Sequence, residues 1–219
     1  MNKRERLEAT LSGQATDRIP IALWRHFPGD DQSPDSLAEA TIAFQKRWNF
    51  DFVKLTPASS FQIRDWGAQD QWLGNNEGTR KYTYQPIMRS SDWRNLKTID
   101  PRSGSLGNQL KCLQQVVQAL PDTPVIQTVF SPLAQAKNLT GDRLLGDLRH
   151  RPDDSKTGLE TITQSTIAFV EAIKATGAAG IFYAAQLATS DSLSVDEYRQ
   201  FGREYDLRIL STLKNLWLN

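Results

Sequence analysis

The sequence predicts an α/β fold on a parallel sheet, and three observations predict it. Short apolar runs rich in β-branched and aromatic residues recur at 19–24, 51–57, 125–130 and 180–185, each too brief for a free-standing helix. Between them lie segments whose apolar residues return every three to four positions. Runs such as Ile19-Pro20-Ile21-Ala22-Leu23-Trp24 and Val125-Ile126-Gln127-Thr128-Val129-Phe130 are apolar on both faces, as in sheets covered on both sides. Alternating strand and helix imply parallel strands joined by right-handed crossovers. With 219 residues, 39% of them hydrophobic, one domain over 1–219 is the default.

Taken in order, the chain opens with a charged helix at 4–11 that stops at Gly13. The first strand, 19–24, runs into a polar, turn-rich loop, Arg25-His26-Phe27-Pro28-Gly29-Asp30-Asp31. Ser33-Pro34-Asp35 then starts a helix, with Ser33 as cap and proline at the first helical position. Leu37, Ala40, Phe44 and Trp48 mark its apolar face, and the second strand, 51–57, closes on Pro57. Residues of about 61–105 make a longer excursion. Lys81-Tyr82-Thr83-Tyr84-Gln85 alternates there like a half-exposed strand, which implies a β-hairpin, and an insertion of this size is usually functional or a lid.

Leu106, Leu110, Leu113, Val117 and Leu120 mark the next helix, ahead of the third strand at 125–130. Residues 133–148 read as helix in pieces, broken at Gly141. Pro152-Asp153-Asp154 separates them from a long helix at about 157–175. The fourth strand, 180–185, turns polar at Gln186, Thr189, Ser190 and Asp191. Ser194 and Glu197 have the spacing of a capping box, and Val195, Tyr198, Phe201, Ile209 and Leu213 keep one helical face apolar behind them. The last residues, Leu216-Trp217-Leu218, read as the approach to a further strand. Four such units make either a truncated barrel or an open layer completed by a partner, because a closed eight-stranded barrel takes about 250 residues.

Composition excludes several classes. A net charge of +1 gives no global attraction to nucleic acid or an anionic membrane. No apolar run approaches the ~20 residues of a membrane span, and the N-terminus lacks a signal-peptide core. The single cysteine, Cys112, fits a reducing cytoplasm, and His26 and His150 lie too far apart in sequence for metal-ligand spacing.

In α/β folds ligands bind where strands hand over to helices. Three candidate catalytic residues stand there: Arg25, whose planar fork suits a carboxylate; His26, a general acid; and Gln186, an amide ending an apolar strand. The structural alternatives are a surface pair of Arg25 with Asp30 or Asp31, and Gln186 serving nearby backbone. Trp24, Lys54, Thr56, Ser131, Asn138, Tyr183 and Asp191 are candidate substrate-binding residues, Lys54 as an anion contact on a face shared with Phe52 and Thr56. Trp66, Trp72, Tyr82 and Tyr84 read as residues that hold the excursion together. Asp196 and Glu197 read as helix-cap carboxylates.

Four blocks resemble the uroporphyrinogen decarboxylase superfamily, in that family's order: IPIALWRHFPGDD, DFVKLTP, VFSPLAQAKNLTG and GIFYAAQ with its capped helix. The resemblance covers about residues 3–216. It implies a TIM-like (β/α)8 barrel of which about the first four βα units are present. It implies a lyase acting on a carboxylated, tetrapyrrole-like substrate without a cofactor. Alternatively it implies a zinc-dependent methyltransferase working with a corrinoid protein, or a non-catalytic partial barrel.

The pattern also departs from that family. Arg25 fits the first of the decarboxylases' two loop arginines, but Gly29 stands in place of the second. Ala58 stands where their aspartate belongs, and Asn138 where their tyrosine belongs. The methyltransferases' zinc ligands would fall beyond Asn219, so no metal site and no cofactor is expected in this chain. The 219 residues alone are expected to be inactive, and to be either the front half of a longer product or half of a homodimer.

Overall fold

The structure is a computed structural model that describes residues 1–214 and 216. Its centre is a parallel sheet in the order β1-β4-β5, formed by β1 (Val53–Leu55), β4 (Val125–Phe130) and β5 (Gly180–Ala184). Val53 pairs with Val125, and Thr128 with Phe182. A separate antiparallel hairpin joins β2 (Gln69–Trp72) to β3 (Arg80–Tyr84). The helices are α1 (Lys3–Leu11), α2 (Pro34–Trp48), α3 (Gly104–Ala119), α4 (Pro132–Thr140), α5 (Leu144–His150), α6 (Pro152–Lys174), α7 (Val195–Tyr198) and α8 (Glu204–Leu210).

Strand alternation divides the sheet into two faces. Val53, Leu55, Val125, Val129 and Ile181 turn outward into one core with Leu113 and Val116 of α3 and Phe169 and Ile173 of α6. Lys54, Thr56, Thr128, Phe130, Phe182 and Ala184 turn the other way and line a cleft. A second core gathers Trp93, Leu133, Leu139, Leu159, Ile162 and Phe201 beneath the excursion. Trp93 is fully buried there, its Nε1 donating to Asp147 at 3.0 Å.

Several sequence expectations are corrected. Residues 19–24 form no strand, so the parallel sheet has three strands among the described residues. Pro20 has no N–H to give, and the Ile21 N–H is taken by the Asp51 carboxylate at 2.7 Å. One backbone bond, from Asp51 N–H to Ile21 C=O, holds the extended segment there, and Ile19 is left 78% exposed.

The break between α5 and the long helix falls at Arg151, and Pro152 occupies the first turn of α6, where its missing N–H would be unpaired anyway. Ser33 precedes α2 without a side-chain cap bond. Val195 is exposed although Phe201, Ile209 and Leu213 are buried, because a π-turn at Arg199–Arg203 shifts the helical phase between α7 and α8. Trp217 and Leu218, read as the approach to another strand, lie outside the described residues. No helix among the described residues is long and apolar enough to cross a membrane.

Candidate functional site

The cleft, of about 710 Å³, opens at the C-terminal ends of β1, β4 and β5. Trp24, Arg25, His26, Lys54, Thr56 and Gln186 all line it, with Thr128, Phe130 and Phe182 as its floor and Asn76, Glu77, Gly78, Thr79 and Arg80 of the hairpin as its roof.

Arg25 and Trp24 reach the cleft from the extended segment that Asp51 fixes. Asp51 is itself buried and held by Arg6 at 2.7 Å and Arg18 at 2.6 Å. Arg25 forms no ion pair among the described residues. Its guanidinium lies 5.5 Å from the Phe27 ring centroid and donates to the His26 carbonyl at 3.2 Å. The alternative of a surface pair with Asp31 does not occur, because Asp31 is held by Arg80 at 2.8 Å.

His26 is half-buried. Burial, then the charge of Lys54, pushes its pKa below the usual histidine value, so the ring is neutral at pH 7. Lys54 lies against two neighbouring rings, its Nζ 4.8 Å from the Trp24 centroid and 4.3 Å from that of Phe182, with the two centroids 5.8 Å apart. Burial pushes its ammonium pKa down to about 8. Thr56 donates to the Lys54 carbonyl at 3.2 Å, and Gln186 sits exposed at the rim.

The other named residues lie elsewhere. Tyr183 turns outward because its neighbours Phe182 and Ala184 face the cleft; its hydroxyl donates to Asp206 at 2.6 Å, beside Tyr198 at 2.7 Å. Burial pushes the Asp206 carboxyl up in spite of these two donors. Ser131 is the buried N-cap of α4, accepting from Ala134 N–H at 3.2 Å. Asn138 stands on α4 under the hairpin, its carbonyl accepting from Gln85. Asp191 is exposed in the loop before α7 and interacts locally with Thr189.

Of the excursion's aromatics, Trp66 donates to the Lys97 carbonyl and Tyr82 to Ser59, and neither lines the cleft. Cys112 is fully buried, its thiol pushed up to about 12 by desolvation. Among the described residues no three His, Cys, Asp or Glu side chains could together hold a metal ion, so these residues do not fit a zinc centre.

Sequence reasoning missed Arg80. It is buried, bridges Asp31 at 2.8 Å and Asp70 at 3.2 Å, and donates to the Pro28 carbonyl, so it ties the roof to the loop carrying Arg25 and His26. The available signal was two charges, Asp70 and Arg80, on facing strands of a hairpin. Phe182 was also missed. Strand period two from Ala184 would have placed it on the cleft face and Tyr183 on the other.

The family model described as uroporphyrinogen decarboxylase (URO-D) matches residues 2–217. Among solved structures, a methyltransferase from Methanosarcina mazei is similar in fold, with a TM-score of 0.83 at 19% sequence identity. The match covers 98% of this chain and 68% of that one. No curated protein matches the sequence.

Proposed function

The chain belongs to the uroporphyrinogen decarboxylase family, and from that premise we propose that its cleft binds a carboxylated small molecule and serves as a carboxy-lyase site. The observation that carries this is the charge of the cleft wall. Among the described residues Arg25 and Lys54 face it without acidic partners, Arg80 is neutralised by Asp31 and Asp70, and Glu77 is the one acid lining it. A carboxylate entering the cleft finds unspent donors in a partly desolvated setting, where a charge-assisted hydrogen bond is strongest. Ala58 is buried and supplies no carboxylate, so a pyrrole-gripping aspartate forms no part of this reading. The test is carbon dioxide release from a panel of carboxylated substrates, porphyrinogens and smaller oxo acids together, with Arg25→Ala as the control. Release that Arg25→Ala leaves unchanged would overturn the assignment.

The likeness to a methyltransferase supports a second reading, methyl transfer from a corrinoid protein. Transfer of a methyl group from a methylated corrinoid protein to a thiol, with no carbon dioxide release, would replace the lyase reading.

We infer further that the three parallel strands are part of a (β/α)8 wall, its first βα units. Support comes from Phe182, exposed on the cleft face, and from Ile19, Ile21 and Leu23, exposed along the segment beside the entry to β1. An apolar edge of this kind invites a further strand. Sedimentation tests completion by a second copy: self-association weakened by Leu23→Asp supports it, and a monomer throughout the micromolar range counts against it.

A further inference from the structure

Lys54 is an amine in an unusual setting. It projects from β1 into the cleft against a corner of two neighbouring rings, Trp24 from the extended segment and Phe182 from β5, whose centroids are 5.8 Å apart. Among the described residues its Nζ has no hydrogen-bond acceptor and no carboxylate partner. The charged or titratable side chains sharing its cleft are Arg25, His26, Arg80 and Glu77. An ammonium placed this way has lost hydration without gaining a counter-ion. With its pKa at about 8, roughly a tenth of the side chain is free amine at neutral pH, against under about a thousandth for an exposed lysine.

A lysine that only binds an anion works fully charged, whereas burial here gives up part of that charge. Desolvation inside a ring-walled cleft serves something else, which is nucleophilicity. We propose that Lys54 forms an imine with the carbonyl group of a β-keto acid, so that the cleft decarboxylates its substrate through a Schiff base. This rests on the reading of the cleft as a carboxylate-binding lyase site and names its substrate class.

The step balances on the groups present. The Nζ lone pair attacks the ketone carbon, the carbonyl electron pair moves to oxygen, and that oxygen is protonated. The carbinolamine loses water to give an iminium. The bond between the carboxylate and the adjacent carbon then breaks, its electron pair flowing into the iminium to give an enamine as carbon dioxide leaves. The enamine carbon takes up a proton, and water hydrolyses the resulting iminium to release ketone and free amine. The net change is β-keto carboxylate anion plus one proton giving ketone plus carbon dioxide, with nothing oxidised or reduced by an outside reagent. His26, neutral and in the same cleft, accepts the proton that the amine sheds and returns it to the departing oxygen. The faces of Trp24 and Phe182 lie within reach of the cationic iminium and stabilise it.

The test is reductive trapping with acetoacetate as the probe. The chain is treated with acetoacetate and cyanoborohydride, weighed intact and mapped by peptide. The expected result is a stable adduct on Lys54, absent from Lys54→Arg, which keeps the charge but cannot form the imine. Carbon dioxide release in that variant should fall on the order of 10²-fold or more.

A parallel arm measures binding of 3-hydroxybutyrate, which keeps the carboxylate but has no carbonyl. It should bind wild type, and bind Arg25→Ala about 10-fold more weakly. Absence of an adduct on Lys54 in wild type, or an adduct mapped to another lysine, overturns the imine and needs no variant to fold. If 3-hydroxybutyrate still binds in that case, the carboxylate reading stands and the imine alone has failed. If 3-hydroxybutyrate does not bind wild type, the carboxylate reading itself has failed.

Discussion

Arg80 on the hairpin lies 2.8 Å from Asp31 in the loop after Trp24, and both side chains are almost fully buried, at 6% and 1% exposure. This pair joins the roof of the cleft to the loop that carries its arginine and histidine. Removing Asp31 leaves the buried Arg80 with Asp70 alone, at 3.2 Å, and breaking a buried pair costs about 3 kcal/mol. Asp31→Asn is therefore expected to lower unfolding stability in urea by about that amount. It should also open the hairpin tip, residues 73–79, to limited proteolysis. The double variant Asp31→Asn with Arg80→Met should lose less than the two single losses combined, since the two residues are in direct contact and each single change already breaks their pair.

Asp51 gives the fold an acid-sensitive joint. Burial pushes its carboxyl up, but Arg18, the Ile21 N–H and Arg6 together outweigh burial and hold its pKa below the usual aspartate value. A depressed carboxylate pKa contributes stability that is present above the unfolded value, about 4, and lost as pH falls through the folded value. Urea midpoints should therefore decline below about pH 4 in the wild type. In Asp51→Asn that decline should be shallower, from a starting stability about 3 kcal/mol lower at pH 7. Because Asp51 also anchors Ile21, the same variant should weaken carboxylate binding by freeing Trp24 and Arg25.

Arg25 is exposed and forms no ion pair among the described residues, so its removal should separate binding from folding. Arg25→Ala is expected to change stability by under about 0.5 kcal/mol. Its affinity for a carboxylate should fall about 10-fold at low salt, the worth of one charge-assisted hydrogen bond. The difference should shrink as ionic strength rises, because the site is open to screening. Calorimetric titration at two salt concentrations measures it. A loss of stability matching the loss of affinity would make Arg25 a structural residue.

Much of this architecture was legible in the sequence where one element decides its own fate. The helices α3 and α6 announce themselves through Leu106, Leu110, Leu113, Ile162, Phe169 and Ile173, because a period near 3.6 over several turns leaves little alternative. β4 is apolar on both faces and lies between two strands. The segment 19–24 has the same composition and is no strand, since pairing depends on a neighbour and on which N–H groups are already taken. That information sits at Asp51, some thirty positions away. Arg80 and Asp31 were opaque for the same reason: as separate charges in polar stretches they look solvated, and only the folded hairpin buries them together. The ends of strands, by contrast, converge on one rim by topology, so Lys54, Thr56 and Gln186 share a cleft although they are far apart in sequence, and the extended segment held by Asp51 brings Trp24, Arg25 and His26 to the same rim.

The hairpin tip supplies a test of whether its contact with the loop matters to binding. Gly78 has φ +72°, and a Cβ there would stand 2.6 Å from His26 Cβ and 3.2 Å from Pro28 Cδ. Neither atom is the free end of a flexible chain, so Gly78→Ala must lift the tip away from the loop. Gly74 is the control: its φ is +83°, but nothing lies within 4 Å of a Cβ built on it. Both substitutions carry the left-handed backbone penalty, about 1–2 kcal/mol. Only the Gly78 substitution displaces the roof. Urea unfolding should therefore show losses of similar size in Gly74→Ala and Gly78→Ala, with Gly78→Ala somewhat the larger. Carboxylate affinity should stay within about twofold of wild type in Gly74→Ala and fall about 10-fold in Gly78→Ala, as His26 and the roof separate. Equal affinities in the two variants would mean that the hairpin covers the cleft without shaping it.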